Sequence, residues 1–296
     1  MVNFRFHLLS LTAVFLALAV GIAVGATVVD RATVDALHVQ LRRVEGRVKE
    51  NVDLRNQVQD WQRFADQAGD GLVVGRLSQV PVLLIGVRGI DKTPIDRLRQ
   101  SLTKAGALVE GTVWFTSKLK LEKADDVTAL AQILGVPNGR PDELRRALVS
   151  RLAASWAGSG ETNPLPALLD KAFAEFEQAS VIQVEPATVP RPETRFLIAS
   201  DATADVGNEQ LGVPLAAQMA KSFPSRVVAV EPAGVLFLGP LRLNEQAVTQ
   251  MSTVDNVADF RGRMAAVLAL QELGQGKVGQ YGVGTGAKRL MPESAQ

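Results

Sequence analysis

Residues 80–87, VPVLLIGV, form a short apolar run bounded by proline and glycine, which is the pattern of a buried β-strand. Residues 93–106, TPIDRLRQSLTKAG, have a helical pattern in which Thr93 is predicted to be the N-cap and Pro94 the first helical residue. Residues 108–115, LVEGTVWF, predict a second strand. A strand, a helix and a strand in so short a span form a βαβ unit, and such units build a parallel sheet.

The same alternation continues downstream. Leucines spaced by four predict a helix between Pro141 and Trp156, and apolar residues between Leu168 and Phe176 predict a second helical stripe. We therefore predict an α/β protein, in which an N-terminal transmembrane helix and a coiled coil precede a Rossmann-like or flavodoxin-like three-layer α/β domain. Further strands are predicted at residues 195–200, 226–231 and 251–254, and further helices at 214–221 and 256–273.

The composition limits the chemistry of this domain. The 296 residues include 32 Lys+Arg and 31 Asp+Glu, so the formal charge of +1 gives no general attraction to nucleic acid. Cysteine is absent, and both histidines, His7 and His38, precede the domain. Catalysis by Ser-His-Asp or Cys-His groups is thereby excluded in the domain, as are zinc sites built from Cys and His. We predict a protein that is not an enzyme, holds no cofactor and binds no nucleic acid.

The N-terminal segment is apolar enough to cross a membrane. Residues 8–29 contain no charged side chain, and a helix needs about 20 apolar residues to cross a bilayer core. A cleaved signal has a shorter apolar region of about 7–15 residues, although residues 23–26, AVGA, would suit a cleavage site. We predict a retained anchor. Its residues Ala17, Gly21 and Gly25 are four apart, so they share a helix face and predict self-association in the membrane.

After the anchor, apolar residues recur at the alternating three- and four-residue spacing of a coiled-coil seam. Asn51 occupies one seam position, and the pattern slips there by three residues, which is a stammer that overwinds a supercoil locally. The pattern predicts a parallel homodimer through the anchor and the coil, although an amphipathic helix packed on its own domain would have a similar pattern. The predicted seam consists of Val34, Leu37, Leu41, Val44, Val48, Leu54, Val58 and Trp61.

These patterns divide the chain into five segments. They are an anchor at 1–29, a coiled coil at 30–70, a glycine-containing linker at 71–79, an α/β domain at 80–281 and a C-terminal tail at 282–296. Basic residues are more frequent after the span than before it, which favours a cytoplasmic C-terminal part by the positive-inside rule. Long domains cross membranes largely regardless of charge, so the sequence leaves the orientation open.

Three carboxylates are candidates for a functional site. Asp201, Glu231 and Asp255 each lie at or just after the end of a predicted strand, where parallel sheets bind their ligands. They are therefore candidate ligands for a metal cation or a polar molecule, and an enzyme would have to use them. In the alternative interpretation, each carboxylate caps the helix that follows it.

Two glycine-rich segments near the C-terminus suggest phosphate or anion binding. Residues 274–279, GQGKVG, match the G-x-G-x-x-G pattern but follow a predicted helix rather than a strand, so we interpret the match as accidental. Residues 281–289, YGVGTGAKR, would place backbone N–H groups around an anion beside Lys288 and Arg289. We expect a solvated, glycine-rich tail there instead.

Three segments carry a family resemblance: LTAVFLALAVGIAVG at 11–25, STVDNVADFRGRMAAVLAL at 252–270 and GQYGVGTGAKRLMP at 279–292. They resemble the mycobacterial copper transport protein B (MctB) family, and the resemblance extends over essentially the whole chain. It implies an actinobacterial cell-envelope protein whose domain lies outside the cytoplasm, described as a pore-forming outer-membrane protein that limits intracellular copper. Related members are linked to septal cell-wall control through a cytoplasmic partner protein.

The residues themselves offer few copper ligands. Cu(I) prefers Cys and Met, and imidazole also binds copper, but Cys is absent and Met219, Met251, Met264 and Met291 show no close pairing. A membrane β-barrel needs many alternating segments of about ten residues, which the sequence lacks, so a pore would need several copies of the single span. The resemblance implies a copper-homeostasis protein of the cell envelope, and the shortage of copper ligands predicts that it acts indirectly or by conduction. The alternative is a non-catalytic coiled-coil scaffold that controls cell-wall assembly or septation through an envelope or cytoplasmic partner.

Overall fold

The chain forms two compact units, Met1–Arg63 and Phe64–Gln296. We describe them from a computed structural model. The structure describes the backbone of residues 4–178 and 190–293. Within these ranges, the side chains of residues 4–5, 26–39, 62 and 66–70 are not described. The predicted seam residues Val34 and Leu37 therefore lie outside the described side chains.

A single helix, α1 (Phe4–Val73), forms the described part of the first unit and continues into the second. Among the described residues, one stretch of it, Phe6–Gly25, is long and apolar enough to cross a membrane. The described side chains of this stretch are exposed around the whole helix. The hydroxyl of Thr12 donates to the carbonyl oxygens of Leu8 and Leu9, at 3.0 Å each, so this polar group is satisfied within the helix.

The small residues and the seam residues of α1 lie on its exposed surface. A Cβ atom added at Gly21 or Gly25 would meet nothing within 4 Å, so this face, together with Ala17, is open to a close neighbour. In the described part of the seam, exposure of the side chains runs from 52% at Leu54 to 71% at Trp61. A coiled coil needs a second helix, so the coiled coil itself stays a prediction.

The second unit contains a seven-stranded sheet surrounded by helices. The strands are β1 (Pro81–Val87), β2 (Leu108–Phe115), β3 (Ala174–Glu177), β4 (Arg195–Ala199), β5 (Val227–Val230), β6 (Met251–Val254) and β7 (Gln280–Tyr281). The helices are α2 (Lys92–Lys104), α3 (Ala124–Leu134), α4 (Pro141–Trp156), α5 (Leu165–Asp170), α6 (Gly212–Ser222), α7 (Leu238–Leu243), α8 (Ala247–Gln250) and α9 (Phe260–Leu273), with a 3-10 helix at Ser117–Lys120.

The strand order is β3-β2-β1-β4-β5-β6-β7, and every pairing is parallel except that of β3 with β2. Without β3, the sequence of strands β2-β1-β4-β5-β6 has the order of flavodoxin-like sheets. Side chains of β1 alternate between the two faces of the sheet. Leu83 and Ile85 join a core with α3 to α8, whereas Val82 and Leu84 join a core with α2 and α9. The predicted three-layer α/β fold is confirmed.

Two local predictions are corrected by the structure. Helix α2 begins two residues earlier than expected, because the carboxylate of Asp91 rather than the hydroxyl of Thr93 serves as the N-cap, accepting from the Thr93 backbone N–H at 2.9 Å. The helical stripe predicted up to Phe176 ends at Asp170, and the chain returns as β3. The segment Ala174–Glu177 also alternates apolar and polar residues, which is a strand pattern, and antiparallel pairing with β2 makes it a strand.

A carboxylate of β3 forms hydrogen bonds with side chains of α2 and of the neighbouring strand β2. Glu177 accepts hydrogen bonds from Lys92 Nζ and Arg99 Nη1, both at 2.9 Å, and from the indole N–H of Trp114 at 3.1 Å. Burial disfavours the ionised form of Glu177, but these three donors outweigh burial and hold the pKa of its carboxyl below the usual 4.5. The ionised carboxylate therefore stabilises the folded edge strand.

Replacing Glu177 with glutamine should lower the free energy of unfolding by about 1–3 kcal/mol at neutral pH, because hydrogen bonds to a charged acceptor are the strong ones. In the unaltered protein this contribution is present above pH 4.5 and is lost as the pH falls through the lowered folded-state pKa. Urea unfolding across this acidic range measures both effects. Glu175→Gln, on the same strand as Glu177, is the control and should change little, because the ion pair of Glu175 with Arg88 is largely exposed. A Glu177→Gln variant with the pH dependence of the unaltered protein would contradict the assignment.

Candidate functional site at the carboxyl edge of the sheet

The usual ligand crevice of this fold lies outside the carboxyl ends of the neighbouring strands β1 and β4, because the strand order reverses between them. In this structure the two following loops close over it. The carbonyl oxygen of Arg88 accepts from the Asp205 N–H at 2.6 Å, and that of Gly89 accepts from the Thr203 hydroxyl at 3.0 Å. Gly89 has a φ of +99°, and a Cβ atom there would lie 2.5 Å from backbone atoms of both Thr203 and Asp205. The loops after β1 and β4 are therefore bonded to each other at the edge where related sheets bind their ligands.

Asp201 lies at the end of β4 and is used by its own loop. Its Oδ1 atom accepts from the backbone N–H and the hydroxyl of Thr203, both at 2.6 Å. Its carbonyl oxygen accepts from Asn208 Nδ2 at 2.9 Å. This is the Asx-turn geometry by which aspartate stabilises a turn.

Glu231 lies at the end of β5 and is fully buried. Its Oε1 accepts from the Leu236 N–H at 3.0 Å, and its Oε2 accepts from the N–H groups of Phe237 and Leu238 at 3.1 Å each. Burial raises the pKa of this carboxyl, the three N–H donors oppose that rise, and the charge of Asp201 adds to it. The carboxylate thus covers the start of α7, which agrees with the capping interpretation.

Asp255 follows β6 and forms a buried ion pair with Arg242 of α7, with 2.9 Å between Oδ2 and Nη1. The side chains of Asp255 and Arg242 are 0% and 2% exposed. The backbone N–H groups of Val283 and Gly284 donate to the two carboxylate oxygens at 2.9 and 3.1 Å. A buried charge needs a partner and hydrogen bonds on its remaining lone pairs, and Asp255 has both.

The guanidinium of Arg242 has further acceptors within the same network. Its Nε donates to Thr253 Oγ1 at 2.8 Å, Nη2 to the carbonyl oxygen of Tyr281 at 2.7 Å, and Nη1 to that of Thr285 at 3.1 Å. The network therefore joins α7, β6, β7 and the loop after β7. Sequence reasoning missed Arg242, because a lone arginine in a six-residue helix carries no local signal of burial.

The glycine-rich loop does cradle an anion, and that anion is the Asp255 carboxylate. Residues 281–289 are exposed in part, as expected, but their backbone is bonded to the sheet and not simply solvated. Gly282 has a φ of +124°, and any Cβ atom there would overlap the Asp255 carboxylate. The expected solvated tail is therefore wrong for this loop, because its N–H groups are needed to satisfy a buried charge.

A second buried contact holds β7 against α9. The phenol of Tyr281 donates to Oε2 of Glu272, and both side chains are 4% exposed. Burial raises the pKa of Tyr281 above its usual value, and the neighbouring Glu272 carboxylate raises it further. Tyr281 therefore stays protonated and serves as a structural donor.

The three candidate carboxylates do not meet at one point. Asp201 is near enough to Glu231 to raise its pKa, whereas Asp255 faces Arg242. Within residues 4–178 and 190–293, no three His, Cys, Asp or Glu side chains are grouped so that they could hold a metal ion. A metal role for these carboxylates stays an untested prediction.

The methionines that could bind copper lie in the core. Met219 and Met251 are fully buried on one face of the sheet, and Met264 is buried on the other. Met291 is partly buried and packs against the same core as Met264. Thioethers that face opposite sides of a sheet cannot share one ion.

The comparison with known families rests on almost the whole chain. A sequence model of the family described as "Copper transport outer membrane protein, MctB" matches residues 1–292. The chain belongs to the MctB family. Similar proteins are the copper transporter MctB of Mycobacterium bovis (strain ATCC BAA-935 / AF2122/97) and that of Mycobacterium tuberculosis (strains CDC 1551 / Oshkosh and ATCC 25618 / H37Rv). Each is 25% identical over 316 residues, covering 97% of this chain and 98% of the relative.

The buried network and the MctB resemblance involve the same parts of the chain. Residues 252–270 contain Thr253 and Asp255, and residues 279–292 contain the loop that bonds to both Asp255 and Arg242. The two segments therefore meet in space across β6 and β7. In this MctB protein they form a structural joint at the carboxyl edge of the sheet.

Proposed function

We propose that this protein acts in copper homeostasis of the cell envelope as a membrane-anchored homodimer. Membership of the MctB family carries the copper role, and the names of its relatives agree with it. The exposed apolar span Phe6–Gly25 supports anchoring, and the family description supports an envelope location. In this proposal the α/β domain lies outside the cytoplasm.

The protein affects copper without a tight copper site in its described α/β domain. The carboxylates at the sheet edge are bonded to the chain itself, and the described methionines face two separate cores. A conductive role would require several copies of the span around one path, because one helix cannot enclose a pore. The small face of Ala17, Gly21 and Gly25 supports such contact between copies.

The homodimer is supported by the apolar stripe of α1. Val44, Val48 and Val58 are more than half exposed in the single chain, and together they follow the spacing of a coiled-coil seam. Burying such a stripe against an identical helix removes apolar surface from water. The same surface on both copies suits a two-fold symmetric pair.

A second candidate function is a non-catalytic scaffold for cell-wall assembly or septation. The closed crevice between β1 and β4 and the long exposed helix favour a protein that contacts partners rather than one that converts a substrate. This scaffold would recruit an envelope or cytoplasmic partner protein. The two candidates differ in the phenotype that follows from loss of the protein.

Deletion of the gene should make growth more sensitive to copper, and the unaltered protein should restore tolerance. A Val44→Glu/Val58→Glu double variant should fail to restore it, because two charges in the seam oppose pairing of the helices. Lys49→Glu, on the outer face of α1, is the matched control and should restore tolerance. Growth at graded copper concentrations and septum morphology by microscopy are both measured. Normal copper tolerance with abnormal septa would reject the copper proposal and support the scaffold.

A further inference from the structure

The position of Asn51 in α1 is unusual because the apolar stripe shifts there while the helix does not break. Helix α1 is continuous from Phe4 to Val73. The steps from Val48 to Asn51 and from Asn51 to Leu54 are both three residues, and each turns the stripe back by about 60° around the helix. Ordinary heptads drift by only about 20° each. Any partner that follows the stripe has to accommodate this step.

Asn51 can bond to a partner without losing its helix. Its Nδ2 donates to the carbonyl oxygen of Arg47 at 2.9 Å, one turn earlier, and the side chain is exposed. A side-chain amide has two N–H donors and one oxygen acceptor. The bond to Arg47 uses one donor, and among the described residues the other donor and the oxygen have no partner. Those two groups are therefore available to a second helix that packs along the seam.

We infer that Asn51 sets the register of a parallel pair of α1 helices by bonding to Asn51 of a second copy; this rests on the homodimer proposed above. In register, the two amides lie opposite each other and satisfy each other's donor and acceptor. A slip of one heptad places each amide against a valine, either Val44 or Val58, and leaves it buried without a partner. A single polar seam residue is known to specify register in this way.

A second copy of the chain is compatible with the charges that flank the seam. In an in-register parallel pair, the residues that flank the seam would face each other as Gln40 with Glu45 and Arg47 with Val52, so no like charges meet. Two copies anchored by Phe6–Gly25 in one membrane also have to run parallel. The anchor and the flanking charges therefore permit the geometry in which the Asn51 side chains meet.

The absence of cysteine in this chain makes the register directly measurable. Two full-length, differently tagged chains, one with Leu41→Cys and the other with Val48→Cys, are co-expressed and their membranes treated with diamide. A disulfide forms only where two Cα atoms come within about 7 Å. Disulfides between like chains therefore report the in-register pair, and those between unlike chains report a slip of one heptad.

Like-chain disulfides should exceed unlike-chain disulfides by about tenfold with Asn51 in place, because a slipped pair leaves both amides unsatisfied. In an Asn51→Leu background the excess should largely disappear. Lys49→Leu, a polar-to-leucine change on the outer face of α1, should keep it. An unchanged ratio in Asn51→Leu would overturn the inference, since the slip in the stripe, or the shared depth of the two anchors in the membrane, would then set the register. If neither cysteine forms a disulfide in chains whose helix content is intact, the homodimer itself is contradicted.

Discussion

Replacing Asp255 with alanine should destabilise the α/β unit by about 3–5 kcal/mol, because it leaves the buried Arg242 guanidinium without its counter-charge. The N–H groups of Val283 and Gly284 would lose their acceptor as well. Domains of this kind are stable by about 5–15 kcal/mol in total, so the variant should lose a large part of that margin. Urea unfolding of the purified protein measures the change.

Two companion variants make the Asp255 experiment specific. Glu293→Ala removes an exposed ion pair with Arg289 near the same loop, and it should change the free energy of unfolding by less than about 1 kcal/mol. Combining Asp255→Ala with Arg242→Ala should cost clearly less than the sum of the two single changes, because the second change removes the unpaired charge. Additive losses would show that the ion pair is not the source of the effect.

Replacing Gly262 with alanine should also be strongly destabilising, by about 1–3 kcal/mol or more, because there is no room for a methyl group in the first turn of α9. A Cβ atom there would lie 2.5 Å from the carbonyl carbon of Asn256 and 2.8 Å from the carbonyl oxygen of Asp255. Both neighbours are backbone atoms, and Asn256 already has a φ of +55°. Moving either of them away from a new methyl group would therefore strain the backbone further. Thermal unfolding of the variant gives the measurement.

Gly71→Ala, at the end of helix α1 within the second unit, provides the control. Gly71 is helical and a Cβ atom there would meet nothing within 4 Å, so alanine should leave stability unchanged or raise it by about 0.5–1 kcal/mol. A Gly262→Ala variant as stable as Gly71→Ala would mean that the turn at residues 255–256 is not held as tightly as the structure indicates. The effects of Gly262→Ala and Asp255→Ala should not add, because both act on residue 255.

The sequence alone determined the features of this protein that depend on near neighbours along the chain. The apolar span, the seam spacing of α1 and the strand-helix-strand unit from β1 to β2 are all periodic patterns. A period of 3.6 or 2 follows from the geometry of one element, so it can be recognised without knowing what that element contacts. The segments at 252–270 and 279–292 likewise carried the family resemblance before any contact between them was known.

Only the tertiary structure decided which groups these elements bring together. The local sequence around Phe176 suited a helix, but antiparallel pairing of Phe176 with Val113 of β2 makes this segment a strand. Asp255 suited a ligand site until Arg242 and Gly284, 13 and 29 residues away, supplied its charge partner and its hydrogen bond. A carboxylate at a strand end has the same local sequence whether it binds a ligand, caps a helix or pairs with a buried arginine. Its role is settled by burial, because a buried charge must be satisfied by whichever distant groups the fold places beside it.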